Sequence, residues 1–177
     1  GEGLQSEIRH QSVRRGLIAL LPRLKRFADV LAGTKGEGRA LLRRALMHML
    51  AEQHRFDRST VLDLWALSEI HRMWLRDRRE GEGGPARRLQ DKSFTEDWLD
   101  DRLTASFLEQ MLPQQRCTLL LVYSEGLSHE DAGYVLDTSP DTIETRLVMT
   151  HAGFADRLEA AARIGSSSQS SPSGEVN

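Results

Sequence analysis

The sequence predicts an all-α protein of two small helical units joined by a flexible linker. Apolar residues recur at a period near 3.6 through two long blocks of the chain, and no stretch of useful length alternates as a half-buried strand would. A glycine-rich break, Gly81-Glu82-Gly83-Gly84-Pro85, stands between the blocks. The units are expected over residues 4–80 and 96–164. A linker over 81–95 separates them, and a disordered Ser-rich tail over 165–177 follows, too polar to bury a core.

In the first block Leu17, Leu20, Leu21, Leu24, Phe27, Ala28 and Leu31 fall on one helical face, and Gly33 suits a left-handed stop after it. A second helix is expected from Arg39 to His54, with Leu42, Leu46, Met49 and Leu50 inward. Ser59 is the expected cap of a third, whose buried stripe is Leu62, Trp65, Ala66, Ile70 and Met73 or Trp74.

In the second block Trp98, Leu99, Leu103, Phe107, Leu108 and Leu112 outline one helix, and Pro113 suits the first turn of the next, which ends at Gly126. Ser128, with Asp131 three residues on, caps a short helix with Ala132, Val135 and Leu136 inward. After Asp137-Thr138, Ser139 caps a last helix that starts at Pro140 and buries Ile143, Leu147, Phe154 and Leu158. A short bracing helix, a tight turn and a longer capped helix make a helix-turn-helix, in which the second helix can enter a major groove. Ordinary helical hairpins share this spacing.

Composition narrows the function classes. Of 177 residues, 39% are hydrophobic and 28% charged, which suits small helical units with wide solvated faces. A net charge of −2 means that any nucleic-acid contact must come from a local patch. The single cysteine, Cys117, excludes an intrachain disulfide, fits a reducing compartment and reads as a small buried hydrophobe. With no apolar run of ~20 residues and no signal-peptide pattern, the expectation is a cytoplasmic protein without a membrane span.

Leu112-Pro113-Gln114-Gln115-Arg116, Leu119-Leu120-Leu121-Val122 and Glu125-Gly126-Leu127-Ser128-His129-Glu130-Asp131-Ala132 closely resemble region 4 of extracytoplasmic-function (ECF) sigma factors. Val135 through Leu147 keeps that family's spacing without a gap, and Leu20-Leu21-Pro22-Arg23-Leu24-Lys25-Arg26-Phe27-Ala28 looks like the first helix of sigma region 2. The resemblance implies a sigma-2-like three-helix unit and a sigma-4-like four-helix unit with the helix-turn-helix. It further implies binding to core RNA polymerase, recognition of promoter DNA and control by an anti-sigma factor. On it, Ser139, Asp141, Thr142, Glu144, Thr145 and Arg146 are the candidate DNA-binding residues. Arg39, Leu42, Arg43, Leu46 and Trp65 are the candidate contacts to core polymerase or an anti-sigma factor.

The chain departs from the family at both places. Sigma region 2 usually carries an acidic-Leu-hydrophobic-Gln-Glu signature that meets a basic coiled coil of the polymerase. Here the matching stretch is Arg39-Ala40-Leu41-Leu42-Arg43-Arg44, which replaces attraction with repulsion. The bland alternative is a solvated basic helix face over Leu42, Leu46 and Leu50. In the reader helix Glu144 stands where a basic residue is usual, Met149 and His151 replace a basic pair, and Arg146 remains. Carboxylates near phosphate weaken DNA affinity, although Glu can accept from cytosine. Leu64 through His71 looks as much like the sigma-like mimics of bacterial general stress signalling as like a working sigma factor. The expected function is an ECF-type sigma factor or diverged sigma-like regulator of transcription initiation. The alternative is a mimic that sequesters an anti-sigma factor and binds little promoter DNA.

Other chemistry finds no support. The six histidines show no ligand spacing, so no metal is expected. Gly33-Thr34-Lys35-Gly36-Glu37-Gly38 lacks the preceding strand and the Gly-Lys-Ser/Thr of a phosphate loop, and reads as a helix connection. No nucleophile, base and orienter can be assembled, so no enzyme activity, cofactor or small-molecule substrate is expected. Arg72, Arg76, Arg78 and Arg79 suit the end of the third helix, where they favour the dipole and are also placed to meet a DNA backbone.

Overall fold

The computed structural model describes residues 1–57, 59–80 and 111–167, and within these it is helical with no strand. The expected linker, the helix expected from Trp98 as far as residue 110, and residues 168–177 lie outside them.

The first unit is α1 (Glu2–Ala32), α2 (Lys35–Ala51) and α3 (Leu62–Arg79), with a short 3-10 turn at Gln53–Arg55. α1 buries Leu17, Leu24, Phe27, Ala28 and Leu31. It stops at Gly33, whose φ of 93° is the left-handed conformation that glycine adopts without steric cost. α2 starts four residues before the expected Arg39, because Thr34 Oγ1 accepts the Glu37 N–H at 3.1 Å and caps the helix there. The glycine-rich stretch read as a connection is therefore mostly the first turn of α2. Gly38 is needed in that turn, since a Cβ on it would lie 2.7 Å from Asp29 Cα.

α3 begins after Val61 and is not capped by Ser59. The Ser59 N–H donates to Asp57 Oδ1 at 3.0 Å and the Thr60 N–H to the Asp57 carbonyl at 2.9 Å, so this segment closes a turn ahead of the helix. Trp65, Ala66 and Ile70 are buried as expected, while Leu62, Met73 and Trp74 pack at the core's edge.

The second unit is α4 (Pro113–Leu119), α5 (His129–Val135) and α6 (Pro140–Ser167). α4 runs straight into a π turn at Leu120–Ser124, a widening that apolar periodicity alone does not reveal. Gly126, at φ 69°, then reverses the chain. Ser128 Oγ accepts the Asp131 N–H at 3.1 Å and Ser139 Oγ accepts the Thr142 N–H at 3.1 Å, so both expected caps are formed. The turn between them is tight: Asp137 adopts φ 49°, and a Cβ on Gly133 would sit 2.6 Å from the Thr138 carbonyl oxygen. α6 extends to Ser167, into the stretch read as tail. It buries Ile143, Leu147 and Thr150, but Phe154 is only half-buried and Leu158 is exposed. Two seven-residue helices cannot cover a 28-residue one along its whole length.

The two units are docked, and one apolar core runs through both, from Phe27, Met49 and Trp65 to Leu121, Val135 and Ile143. Polar contacts also tie the units together. Arg23 Nε donates to Glu125 Oε2 at 2.6 Å and its Nη1 to Asp63 Oδ2 at 3.2 Å, while Arg26 approaches Glu125 Oε1 at 3.6 Å. Burial alone would lower the Arg23 pKa, but the hydrogen bonds and charges of Glu125 and Asp63 outweigh it and hold the pKa raised. Arg116, 4% exposed, donates from Nε to the Val30 carbonyl at 3.2 Å, anchoring α4 to the end of α1.

His71 lies on the same joint, buried on α3 and stacked against Trp74 with ring centroids 6.0 Å apart. Neither ring nitrogen has a hydrogen-bond partner among the described residues. Burial lowers its pKa to about 4; nearby Asp137 opposes this, and Arg146 and Arg72 reinforce it.

Two outcomes are expected. Gly133→Ala forces its Cβ onto the Thr138 carbonyl and should cost about 1–3 kcal/mol in urea unfolding; an unchanged midpoint would refute the close approach. His71 binds its proton more weakly folded than unfolded, so its contribution is intact above pH 6.5 and is lost as the pH falls toward 4. At ~1.4 kcal/mol per pKa unit that loss is at most about 3.5 kcal/mol, and His71→Leu should flatten the stability profile across this window relative to the parent.

Candidate interaction surfaces

Each candidate DNA-binding residue lies on α6 or at its cap. Ser139 is occupied by capping: besides the Thr142 N–H, its Oγ lies 2.9 Å from Thr142 Oγ1. Thr145 Oγ1 donates to the Asp141 carbonyl at 3.0 Å, turning that hydroxyl back along its own helix. Asp141, Glu144 and Thr145 are exposed, and so are Val148 and Met149, each at 62%.

Arg146 does not join them. Its Nη2 donates to Gln114 Oε1 of α4 at 3.4 Å, Nη1 is buried without a hydrogen-bond partner among the described residues, and burial lowers its pKa. The arginine left from the family pattern thus points into its own unit. His151, where a second basic residue is usual, has Nε2 2.6 Å from the Tyr123 hydroxyl and stacks on that ring. The outward face of the reader helix from Asp141 to Met149 is therefore acidic at its start and apolar beyond. Such a face repels phosphate and can bury apolar surface against a protein.

Under Arg146 and Arg116 lies Cys117, which burial raises far above the usual thiol pKa, with the two arginines opposing only weakly. It is a core residue, in line with its apolar run.

The second candidate set splits. Leu42 and Trp65 are buried and Leu46 is half-buried, with Trp65 against Phe56 at a ring separation of 5.1 Å. These three hold α2 and α3 together and present little surface. Arg39 and Arg43 are exposed on one face of α2, one turn apart, with Met47 a further turn along at 64% exposure. Arg44, beside them, pairs with Asp77 of α3.

Sequence reasoning missed the joint residues Arg23, Glu125 and His71, and the inward turn of Arg146. Glu125 and Arg23 stand 102 positions apart, and no local spacing signals such a pair. Among the described residues no cluster of His, Cys, Asp and Glu could hold a metal ion, and no helix is long and apolar enough to cross a membrane.

No family model matches the chain. The ECF RNA polymerase sigma factor EcfG of Rhodopseudomonas palustris (strain TIE-1) is 25% identical over 143 residues, which cover 77% of this chain and 79% of that protein. The sigma factor RpoE of Bartonella quintana, solved in complex with the anti-sigma factor NepR, superposes with a TM-score of 0.67 at 20% identity, over 84% of this chain and 98% of that one. PhyRSL of Sphingomonas sp. Fr1, solved in complex with NepR, superposes with a TM-score of 0.65 at 23% identity, over 92% of this chain and 95% of that one. The resemblance carried by the helix-turn-helix and first-helix motifs is thus matched on both levels: the chain is similar in sequence to an ECF sigma factor and has the all-helical fold of the sigma factor RpoE and of PhyRSL.

Proposed function

We propose that this chain is a sigma-like regulator of transcription initiation that acts through protein contact. It binds an anti-sigma factor through its docked pair of units, frees the sigma factor that the inhibitor would hold, and binds little promoter DNA. One observation carries this reading: the reader helix turns its arginine inward to Gln114 and presents Asp141, Glu144, Val148 and Met149 outward. A DNA-reading helix gains most of its affinity from cations facing phosphate, and between Asp141 and Met149 the one arginine is half-buried and turned to Gln114. RpoE and PhyRSL, whose fold the chain shares, were both solved with NepR, which supports an anti-sigma factor as the partner class. A working ECF sigma factor is the second reading, favoured by the match to EcfG along most of the chain.

Titration calorimetry with Sphingomonas NepR should give sub-micromolar affinity, while a promoter duplex at physiological salt should bind no tighter than ~10 µM. Capture of the chain by core RNA polymerase with promoter-specific transcription would overturn the proposal in favour of the working sigma factor. Arg146→Met should leave the weak DNA retention within about twofold, against the ~10-fold loss expected for a base-reading arginine.

A further inference from the structure

A second surface lies on the first unit, on α2 and the groove between α2 and α3. Arg39 and Arg43 stand one turn apart on the outer face of α2, with Ala40 and Met47 exposed along the same side. Arg43 makes no ion pair with the described residues. Arg39 acts at a distance on Asp29, whose pKa is raised by burial while Lys25, Lys35 and Arg39 pull it down. Beside this stripe runs a groove of about 550 Å³ with Ala40, Leu41 and Trp74 in its walls. The Arg78 guanidinium lies over the Trp74 ring, 4.6 Å from its centroid, and the Arg44–Asp77 pair spans the groove.

We infer that this face docks an acidic amphipathic helix of a partner protein. One apolar side chain of that helix enters the groove against Leu41 and Trp74, and carboxylates spaced one turn apart meet Arg39 and Arg43. The spacing matches because carboxylates four residues apart on a helix are separated by the ~6 Å that separates the two arginines. Nucleic acid fits less well. A duplex carries charge every ~1.7 Å along its axis and would meet Glu37, Asp77 and Glu80 around the groove, and it brings no apolar group for Trp74. A helix can place its charges only where cations wait.

The inference deepens the protein-contact reading by giving the chemistry of one partner segment, and it is tested apart from that reading. The probe is a fluorescein-labelled peptide of ~18 residues, long enough to hold a helix, with a leucine seam flanked by glutamates. Its twin carries lysine at every glutamate. Fluorescence anisotropy with the full chain should show the acidic peptide bound about tenfold more tightly than the twin, the scale of two exposed ion pairs. The double variant Arg39→Glu/Arg43→Glu should reverse that order. Arg9→Glu/Arg14→Glu, the same charge change on exposed α1 positions, should leave it intact, and thermal melts by circular dichroism report whether each variant is folded. Equal binding of the twins, an unreversed order in the folded Arg39/Arg43 variant, or displacement of the peptide by duplex DNA at equal charge would each overturn the inference. NepR titrated in the same series separates the two claims. Peptide failure with NepR binding removes only the docking face, and NepR failure with the peptide bound removes only the anti-sigma reading.

Discussion

The arrangement depends on the joint at which the second helical unit docks on the first. Glu125, at the end of the π turn, is held by Arg23 and Arg26, while Arg116 reaches from α4 to the Val30 carbonyl. Hydrogen bonds to charged groups are worth about 1.5–3 kcal/mol each in favourable settings, and the apolar core continuing beneath them adds burial. Arg23 also ties Asp63 at the start of α3, so one side chain links three helical segments. Apolar packing alone would tolerate sliding between the units, whereas these directional contacts fix one placement and, with it, which side of α6 faces outward.

That placement sorts the surface charge. α2 presents arginines, and the reader helix presents carboxylates followed by apolar side chains. A nearly neutral chain can in this way hold two surfaces of opposite character, each selective for a different complementary segment. The inward turn of the half-buried Arg146 matters most here. Turned inward, it has a 3.4 Å contact with the Gln114 amide as its hydrogen bond among the described residues; turned outward, it would put a cation on the reader face.

Much of this fold was legible in the sequence because capping and periodicity are local. Gly33, Ser128 and Ser139 do what their positions announce. Leu17, Leu24, Phe27, Ala28 and Leu31 of α1 and Trp65, Ala66 and Ile70 of α3 are buried as their spacing requires, with Leu20, Leu21, Leu62, Met73 and Trp74 at the edge. The misses have local causes too. Thr34 with Glu37 is a capping pair hidden among glycines, and Ser59 is taken by Asp57 before it can cap α3. The candidate sites were less legible. Whether Arg146 faces solvent depends on Gln114, 32 positions away, and Leu42 and Trp65 fall in the core because α2 and α3 meet there. Residue type at a family position gives the chemistry on offer, and tertiary packing decides which atoms reach the surface.

The lone thiol of Cys117 lies on α4 beside Arg116 and near Arg146, completely enclosed and strongly disfavoured as a thiolate. Alkylating reagents attack the thiolate, so a thiol this enclosed stays silent until the core around it opens. The rate of thiol modification in excess reagent therefore counts openings of the core around α4, with no engineered label.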